Sequence, residues 1–228
     1  MARLPRLVVP GYPHHLTQRG VRSMAIFTSD VDRISYLSFI AEECKRYNVE
    51  VLAWCLMTNH VHFIAVPKAE QSLARAFGEA HRRYTRMKNF TEGVRGYLFQ
   101  GRFSSCVLDQ HHLLAAVRYV ELNPVRADMA QQAGEYVWSS AQFHLGLVKN
   151  DPLVADGNLL GLVTNWEEFL CRETDEGLER VVTATRTGRP AGDEAFLAAL
   201  ETVTGRDMRK KQAGRPPTLD SQQQDVHA

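Results

Sequence analysis

Met57-Thr58-Asn59-His60-Val61-His62-Phe63-Ile64-Ala65-Val66 places two histidines one residue apart inside an apolar run of β-strand character. On a strand the side chains of residues i and i+2 leave the same face, so His60 and His62 project together while Val61 and Phe63 go to the other side. Two imidazoles on one face can share a metal ion. The same pattern also serves two satisfied histidines on a half-exposed strand, the commoner case for so short a motif, so the surrounding chain has to decide. Val49–Leu56 is rich in β-formers, and Thr58-Asn59 sits between the two runs as a tight turn would, with Asn59 able to adopt left-handed backbone.

Outward from this hairpin, His14 to Gln18 makes a first strand that ends at the Arg19-Gly20 turn. Ser29 with Asp32 is a helix-start signature, and Val31, Ile34, Leu37, Ala41 and Cys44 recur at helical spacing, which predicts a helix over 30–47. Downstream, Leu73, Phe77, Ala80, Tyr84 and Met87 form a second helical stripe, leaving Arg75, Arg82, Arg83, Arg86 and Lys88 mostly on other faces as a basic flank. Residues 93–103 lose periodicity and gain glycine, aromatics and arginine. Ser104 to Leu108 predicts a fourth strand, and Asp109 caps a helix expected to stop at Asn123-Pro124. The order β-α-β-β-α-β, followed by another helix, predicts an α+β, ferredoxin-like split βαβ domain: a four-stranded antiparallel sheet with helices on one face and the other face open for a ligand.

The expected organisation is a principal α+β domain over 1–150, a mainly helical C-terminal extension over 151–212 and a disordered tail over 213–228. Within the extension, Asn158 to Leu170 predicts one or two short helices, a linker begins around Thr185, and Asp193 to Val203 predicts another helix. Gly214-Arg215-Pro216-Pro217 opens the polar tail. The formal net charge of +1 conceals an asymmetry: residues 1–150 carry 18 Lys+Arg against 12 Asp+Glu, leaving 9 against 14 of the chain's 27 and 26 for the remainder. A basic body suits an anionic partner, and the acidic end could fold over it. Cys44, Cys55, Cys106 and Cys171 form no Cys-x-x-Cys pair and read as buried thiols of a reducing compartment, against a zinc knuckle or redox dithiol. No apolar run approaches membrane-spanning length, and a cytoplasmic location is expected.

The chemistry converges on His111-His112-Leu113-Leu114-Ala115-Ala116-Val117-Arg118-Tyr119-Val120-Glu121-Leu122-Asn123. Leu113, Val117 and Val120 form a buried stripe, whereas Tyr119 and Asn123, four apart, share another face from which both could reach a metal held by the histidines. Such a trio suits phosphodiester cleavage. A tyrosine hydroxyl with a pKa of about 10 is phenolate about one part in a thousand at neutral pH, a handicap of roughly 4 kcal/mol. A divalent ion offsets this by stabilising charge on the phosphoryl oxygens. Tyr119 would then be the nucleophile of a covalent 5′-phosphotyrosine intermediate that leaves a free 3′-hydroxyl. His60, His62 and the Asn123 amide make a neutral, incomplete ligand set with open positions. Magnesium or manganese is expected, although imidazole by itself favours a later transition metal.

His60-Val61-His62 preceded by Met57 and Asn59, the block Arg118-Tyr119-Val120-Glu121-Leu122-Asn123-Pro124-Val125-Arg126-Ala127, and Trp138-Ser139-Ser140 together resemble the REP-associated tyrosine transposases. These are HUH single-strand nucleases related to the single-tyrosine insertion-sequence transposases. The resemblance extends from Pro13-His14-His15 and Arg19-Gly20 through Gly101-Arg102-Phe103 to Gly188-Arg189-Pro190. It implies cleavage of single-stranded DNA near imperfect hairpins with a divalent metal, His60 and His62 as metal ligands and Tyr119 as nucleophile. Asn123 stands where the insertion-sequence relatives carry glutamine, and Thr58 where a proline more usually precedes the Asn-His pair.

Arg19, Arg82, Arg83, Arg86, Arg102, Arg118 and Arg126 become candidate DNA contacts, and Tyr97, Phe99 and Phe103 candidate stacking platforms for unpaired bases. The leading expectation is therefore a DNA endonuclease and strand transferase of transposition and recombination type, with single-stranded or hairpin DNA as partner. A domesticated hairpin-binding protein with little or no cleavage is the alternative. A hydrolase acting through activated water is a third reading.

Overall fold

The computed structural model describes residues 6–155, 159–172 and 177–208; the expected disordered tail lies outside the described residues. In chain order the main elements are β1 (His14–Arg19), α1 (Asp30–Arg46), β2 (Val49–Leu56), β3 (His60–Pro67), α2 (Ser72–Glu92), β4 (Ser104–Val107) and α3 (Gln110–Arg126). Beyond them come α4 (Ala141–His144), α5 (Trp166–Cys171), α6 (Leu178–Thr187) and α7 (Glu194–Thr204). The strands form one antiparallel sheet in the order β2-β3-β1-β4, the split βαβ arrangement. No helix among the described residues is long and apolar enough to cross a membrane.

The pleat divides the strands between two cores. Leu16, Val61, Phe63, Val51 and Trp54 face α1 and α2, while Ala53, Cys55, Ile64 and Cys106 face α3 and the C-terminal helices. The helices therefore do not all lie on one face, and the second face is not open: α3 packs against β2 and β3, and α6 against β4 and β1. The open edges of the sheet are also closed. Leu56 N–H donates to the Trp138 carbonyl and Ser140 N–H to the Trp54 carbonyl along β2, and Ala191 N–H donates to Val107 at β4.

Local signals account for most element ends. Ser29 and Asp32 form the expected capping box, and the Asp109 and Asp193 side chains accept from His112 N–H and Phe196 N–H. Gly20 is required by close approach rather than by torsion, since a Cβ there would collide with the Met24 carbonyl. Three expectations need correction. The buried stripe of α1 runs through Tyr36, Leu37, Ile40 and Cys44, and Val31 and Ile34 are exposed. Helix α3 does not stop at Pro124 but passes through it to Arg126, because a proline in the last turn forfeits a single backbone bond. Thr185 is a buried residue of α6 rather than part of a linker, which shrinks to Gly188–Pro190. Among the cysteines, Cys44, Cys55 and Cys106 are buried free thiols and Cys171 is an exposed one.

Lys88 leaves the basic flank altogether. Its ammonium is buried 2.8 Å from the Asp32 carboxylate, with side chains 4% and 9% exposed, and 2.8 Å from Glu92. Burial pushes the Asp32 carboxyl up, but hydrogen bonds from Lys88 and Thr28 outweigh it and bring the pKa down to about 2. A depressed carboxyl pKa stabilises the fold above the unfolded value near 4, and that stabilisation is lost as pH falls towards 2. Lys88→Met is expected to cost about 3 kcal/mol at pH 7 by stranding the Asp32 charge. Urea unfolding at pH 7 and pH 2.5 checks this: the gap between wild type and variant should narrow at the lower pH.

Candidate metal centre and nucleophile

Strands β1 and β3 and helix α3 bring the predicted residues together on the second face of the sheet. His60 and His62 do leave one face, with ring centroids 4.9 Å apart. The Tyr119 ring stands edge-on to His62 at 5.4 Å. Tyr119 is half-buried, and the Arg126 guanidinium lies 5.6 Å from its ring centroid. Asn123 follows one helical turn later, and its buried Nδ2 has no partner among the described residues. Rotating that amide by half a turn would present its oxygen at the same position. No hydrogen bond among the described residues joins Asn123 to either histidine.

The structure adds His15, which pairs with Ile64 in the β1–β3 register and lies against both parts of the site. Its ring stacks on His62 with centroids 5.2 Å apart and meets Tyr119 edge-on at 5.9 Å. His15 Nε2 is 3.0 Å from His62 Nδ1, and His15 Nδ1 is 2.7 Å from Thr185 Oγ1. The alternation of β1 could have pointed to this face for His15; nothing in the sequence pointed to Thr185.

Asn59 has a different task from the one expected. It is absent from the residues with positive φ, and its side chain instead bridges Ser23 and His60. Asn59 Nδ2 donates to the Ser23 carbonyl at 3.1 Å, so Oδ1 accepts from His60 Nδ1–H at 2.6 Å. His60 Nε2 is therefore left as a lone pair. His62 Nε2 is buried with no partner among the described residues.

Electrostatics keep these rings neutral. Burial lowers His15 to about 4, and burial with the nearby Arg19 charge lowers His60 to about 4. His62 is held well below the ordinary histidine range by burial, then by its neighbours His15, His60 and Arg19. Neutral imidazoles with unshared Nε2 pairs are the form in which histidine binds metals. The orphaned Nε2 of His62, the oriented ring of His60 and the Asn123 amide, whose Nδ2 finds no partner among the described residues, together fit a divalent ion with open positions. Among the described residues no group of three or more His, Cys, Asp or Glu side chains is arranged to hold a metal, so such an ion would lean on the amide, phosphate and water.

The predicted arginines separate into groups. Arg19 is exposed at the end of β1, paired in register with His60. Arg82, Arg86 and Arg102 line a groove of about 950 Å³ between α2 and the 94–103 loop, on the face opposite the histidines. Arg6 and Arg95 also line it, no Asp or Glu does, and burial with repulsion from Arg102 lowers Arg6 to about 10. Tyr97 stands in this groove 90% exposed, whereas Phe99 and Phe103 belong to the core. Arg82 is also paired with Glu79. Arg83 lies outside the groove, bound to Glu42 and Glu43 at 2.8 and 2.6 Å. Arg118 donates through Nε to the Phe169 carbonyl at 2.8 Å and so tethers α5.

The family model for IS200-like transposases matches residues 11–123, which contain β1, both histidines of β3, Tyr119 and Asn123. Among solved structures, a REP-associated tyrosine transposase bound to a REP hairpin shares the fold with a TM-score of 0.55 at 17% identity, covering 70% of this chain and 93% of that one. A candidate transposase from Deinococcus radiodurans aligns with a TM-score of 0.38 at 15% identity, over 53% of this chain and 96% of that one. No curated protein matches. With its sheet, its histidine strand and its tyrosine helix all inside the matched segment, the chain belongs to the IS200-like transposases, a family of DNA-processing proteins.

Proposed function

We propose that this protein is a metal-dependent, single-strand-specific DNA endonuclease and strand transferase of the REP-associated type, acting at DNA hairpins in the cytoplasm. The observation that carries this reading is the convergence of Tyr119 on two neutral histidines whose Nε2 atoms are both unshared. His60 and His62 would hold a magnesium or manganese ion, with the Asn123 amide as third ligand. When bound, such an ion stabilises charge on the phosphoryl oxygens and orients the leaving 3′-oxygen. Tyr119 Oη attacks the scissile phosphorus and loses its proton; the phosphorus–O3′ bond breaks, and O3′ leaves as a hydroxyl. The new 5′-phosphotyrosine bond conserves the phosphodiester for rejoining to another 3′-hydroxyl.

The DNA partner is supported by the groove, which five arginines and no carboxylate line, and by the REP hairpin on the structural neighbour. Gln18 and Arg19 are adjacent on β1, the first lining the groove and the second flanking His60, so a strand leaving the groove passes round the end of β1 to reach Tyr119. Tyr97→Ala is expected to weaken binding of single-stranded DNA by about 1–3 kcal/mol, a loss of roughly 5- to 150-fold, by removing one stacking platform. Arg102→Ala is expected to reduce the slope of log affinity against log salt by about 1. Fluorescence anisotropy across a salt series measures both.

The reading is tested by incubating the protein with manganese and end-labelled hairpins from the host's intergenic regions. Denaturing gels should show DNA covalently attached to protein, and EDTA should abolish it. A native-gel shift with no adduct on any hairpin would instead support a binding protein without cleavage.

A further inference from the structure

We infer that His15 and Thr185 form a positioning relay that sets which nitrogen of His62 carries the proton, so that the C-terminal helix α6 completes the metal centre. The inference rests on the proposed role of His62 as a ligand. Thr185 and His62 lie in different segments and meet only through His15: Thr185 Oγ1 is 2.7 Å from His15 Nδ1, and His15 Nε2 is 3.0 Å from His62 Nδ1. All three side chains are buried, so no water competes for these bonds.

The hydroxyl proton determines the direction of the chain. Thr185 Oγ1 donates to the Val181 carbonyl at 2.8 Å, within its own helix. Its lone pairs are left to accept, from His15 Nδ1–H and from the Cys106 thiol at 3.2 Å. His15 Nε2 is then an acceptor, His62 Nδ1–H donates to it, and His62 Nε2 keeps its lone pair. The reverse direction makes one bond fewer. It takes the hydroxyl proton from Val181 and leaves His62 with a buried Nε2–H that has no acceptor.

Asn59 performs the same service for His60 from the hairpin turn, through its 2.6 Å bond to Nδ1. Each candidate ligand thus has its own orienting partner. One is adjacent in sequence, and the other belongs to the C-terminal extension. Partners of this kind fix the ring and the tautomer of a metal-binding histidine, and their loss costs about 10- to 100-fold in metal affinity.

Thr185→Val keeps the shape of the side chain and removes the hydroxyl; Thr185→Ser keeps the hydroxyl. In the valine variant either direction leaves one buried N–H without an acceptor, so the bias disappears and the His62 proton is expected to divide between Nδ1 and Nε2. Manganese affinity, measured by calorimetry, should fall about 10- to 100-fold in the valine variant and return to within about threefold of wild type in the serine variant. Long-range ¹H–¹⁵N spectra of the metal-free proteins should show His62 protonated at Nδ1 in wild type and Thr185→Ser, and a mixture of Nδ1–H and Nε2–H forms in Thr185→Val. Unchanged manganese affinity and an unchanged His62 tautomer in Thr185→Val would overturn the relay. So would an Nε2–H tautomer of His62 in the metal-free wild type, a result that needs no variant to fold. Because the spectra involve neither DNA nor metal, they report on the relay even where no covalent adduct forms and the nuclease reading fails.

Discussion

Tyr119→Phe is expected to abolish the covalent protein–DNA adduct and to lower hairpin cleavage by on the order of 10³-fold or more, the scale of losing a nucleophile. The phenyl ring keeps the edge-on contacts with His62 and His15 and the position beneath Arg126, so the fold and the surrounding charges stay as they are. Hairpin affinity should therefore remain within about twofold, as for a single substitution outside the binding contacts. Labelled hairpin with manganese, analysed on parallel denaturing and native gels, separates the two effects. A phenylalanine variant that cuts as well as wild type would transfer the chemistry to an activated water and exclude the phosphotyrosine route. A wild type that binds but never cuts would leave Tyr119 as packing.

The largest stability effect is expected at Glu121, two residues from Tyr119 and on the inner side of α3. It is fully buried, and its carboxylate oxygens accept from Ser140 Oγ at 2.7 Å, His144 Nδ1 at 2.5 Å and Trp166 Nε1 at 2.7 Å. Ser140 in turn accepts from the Trp54 N–H on β2, so one carboxylate joins the tyrosine helix to the sheet edge, α4 and α5. Glu121→Ala strands three buried donors and is expected to cost about 3–5 kcal/mol, a fall in Tm of roughly 10 °C for a chain of this size. Glu121→Gln keeps the shape and one acceptor oxygen but turns an amide N–H towards a donor, and should lose about 1–3 kcal/mol. Thermal unfolding by circular dichroism measures both. A Glu121→Ala protein with wild-type Tm would mean that these donors find other partners and that α3 is held by its apolar stripe alone.

Glu121 also shows how far the sequence could be read. Trp138-Ser139-Ser140 and Tyr119-Val120-Glu121-Leu122-Asn123 were legible as two motifs of one family, but not as partners: the Ser140–Glu121 bond is a matter of tertiary packing. The same holds for charge. The arginines of α2 share a helix, yet Arg86 lines the groove while Arg83 binds two carboxylates of α1, Glu42 and Glu43. Lys88 is buried against Asp32 because α1 and α2 pack side by side, which no count of residues on a helical wheel reveals.

What the sequence determined by itself is what short-range geometry controls. A strand repeats every two residues and a helix every 3.6, so the element order, the shared face of His60 and His62 and the shared face of Tyr119 and Asn123 all follow from spacing. Capping is equally local, and Ser29, Asp109 and Asp193 mark their helix starts. Only the tertiary structure decided which side chains complete the site. It covered the second face of the sheet with α3 and α6, and set Asn59 against His60. It also placed Thr185 behind His15, 170 residues away in the chain. Hydrogen bonds of that reach depend on how the helices dock, and docking is selected by the summed burial of many apolar side chains, a property of the whole fold that no short stretch contains.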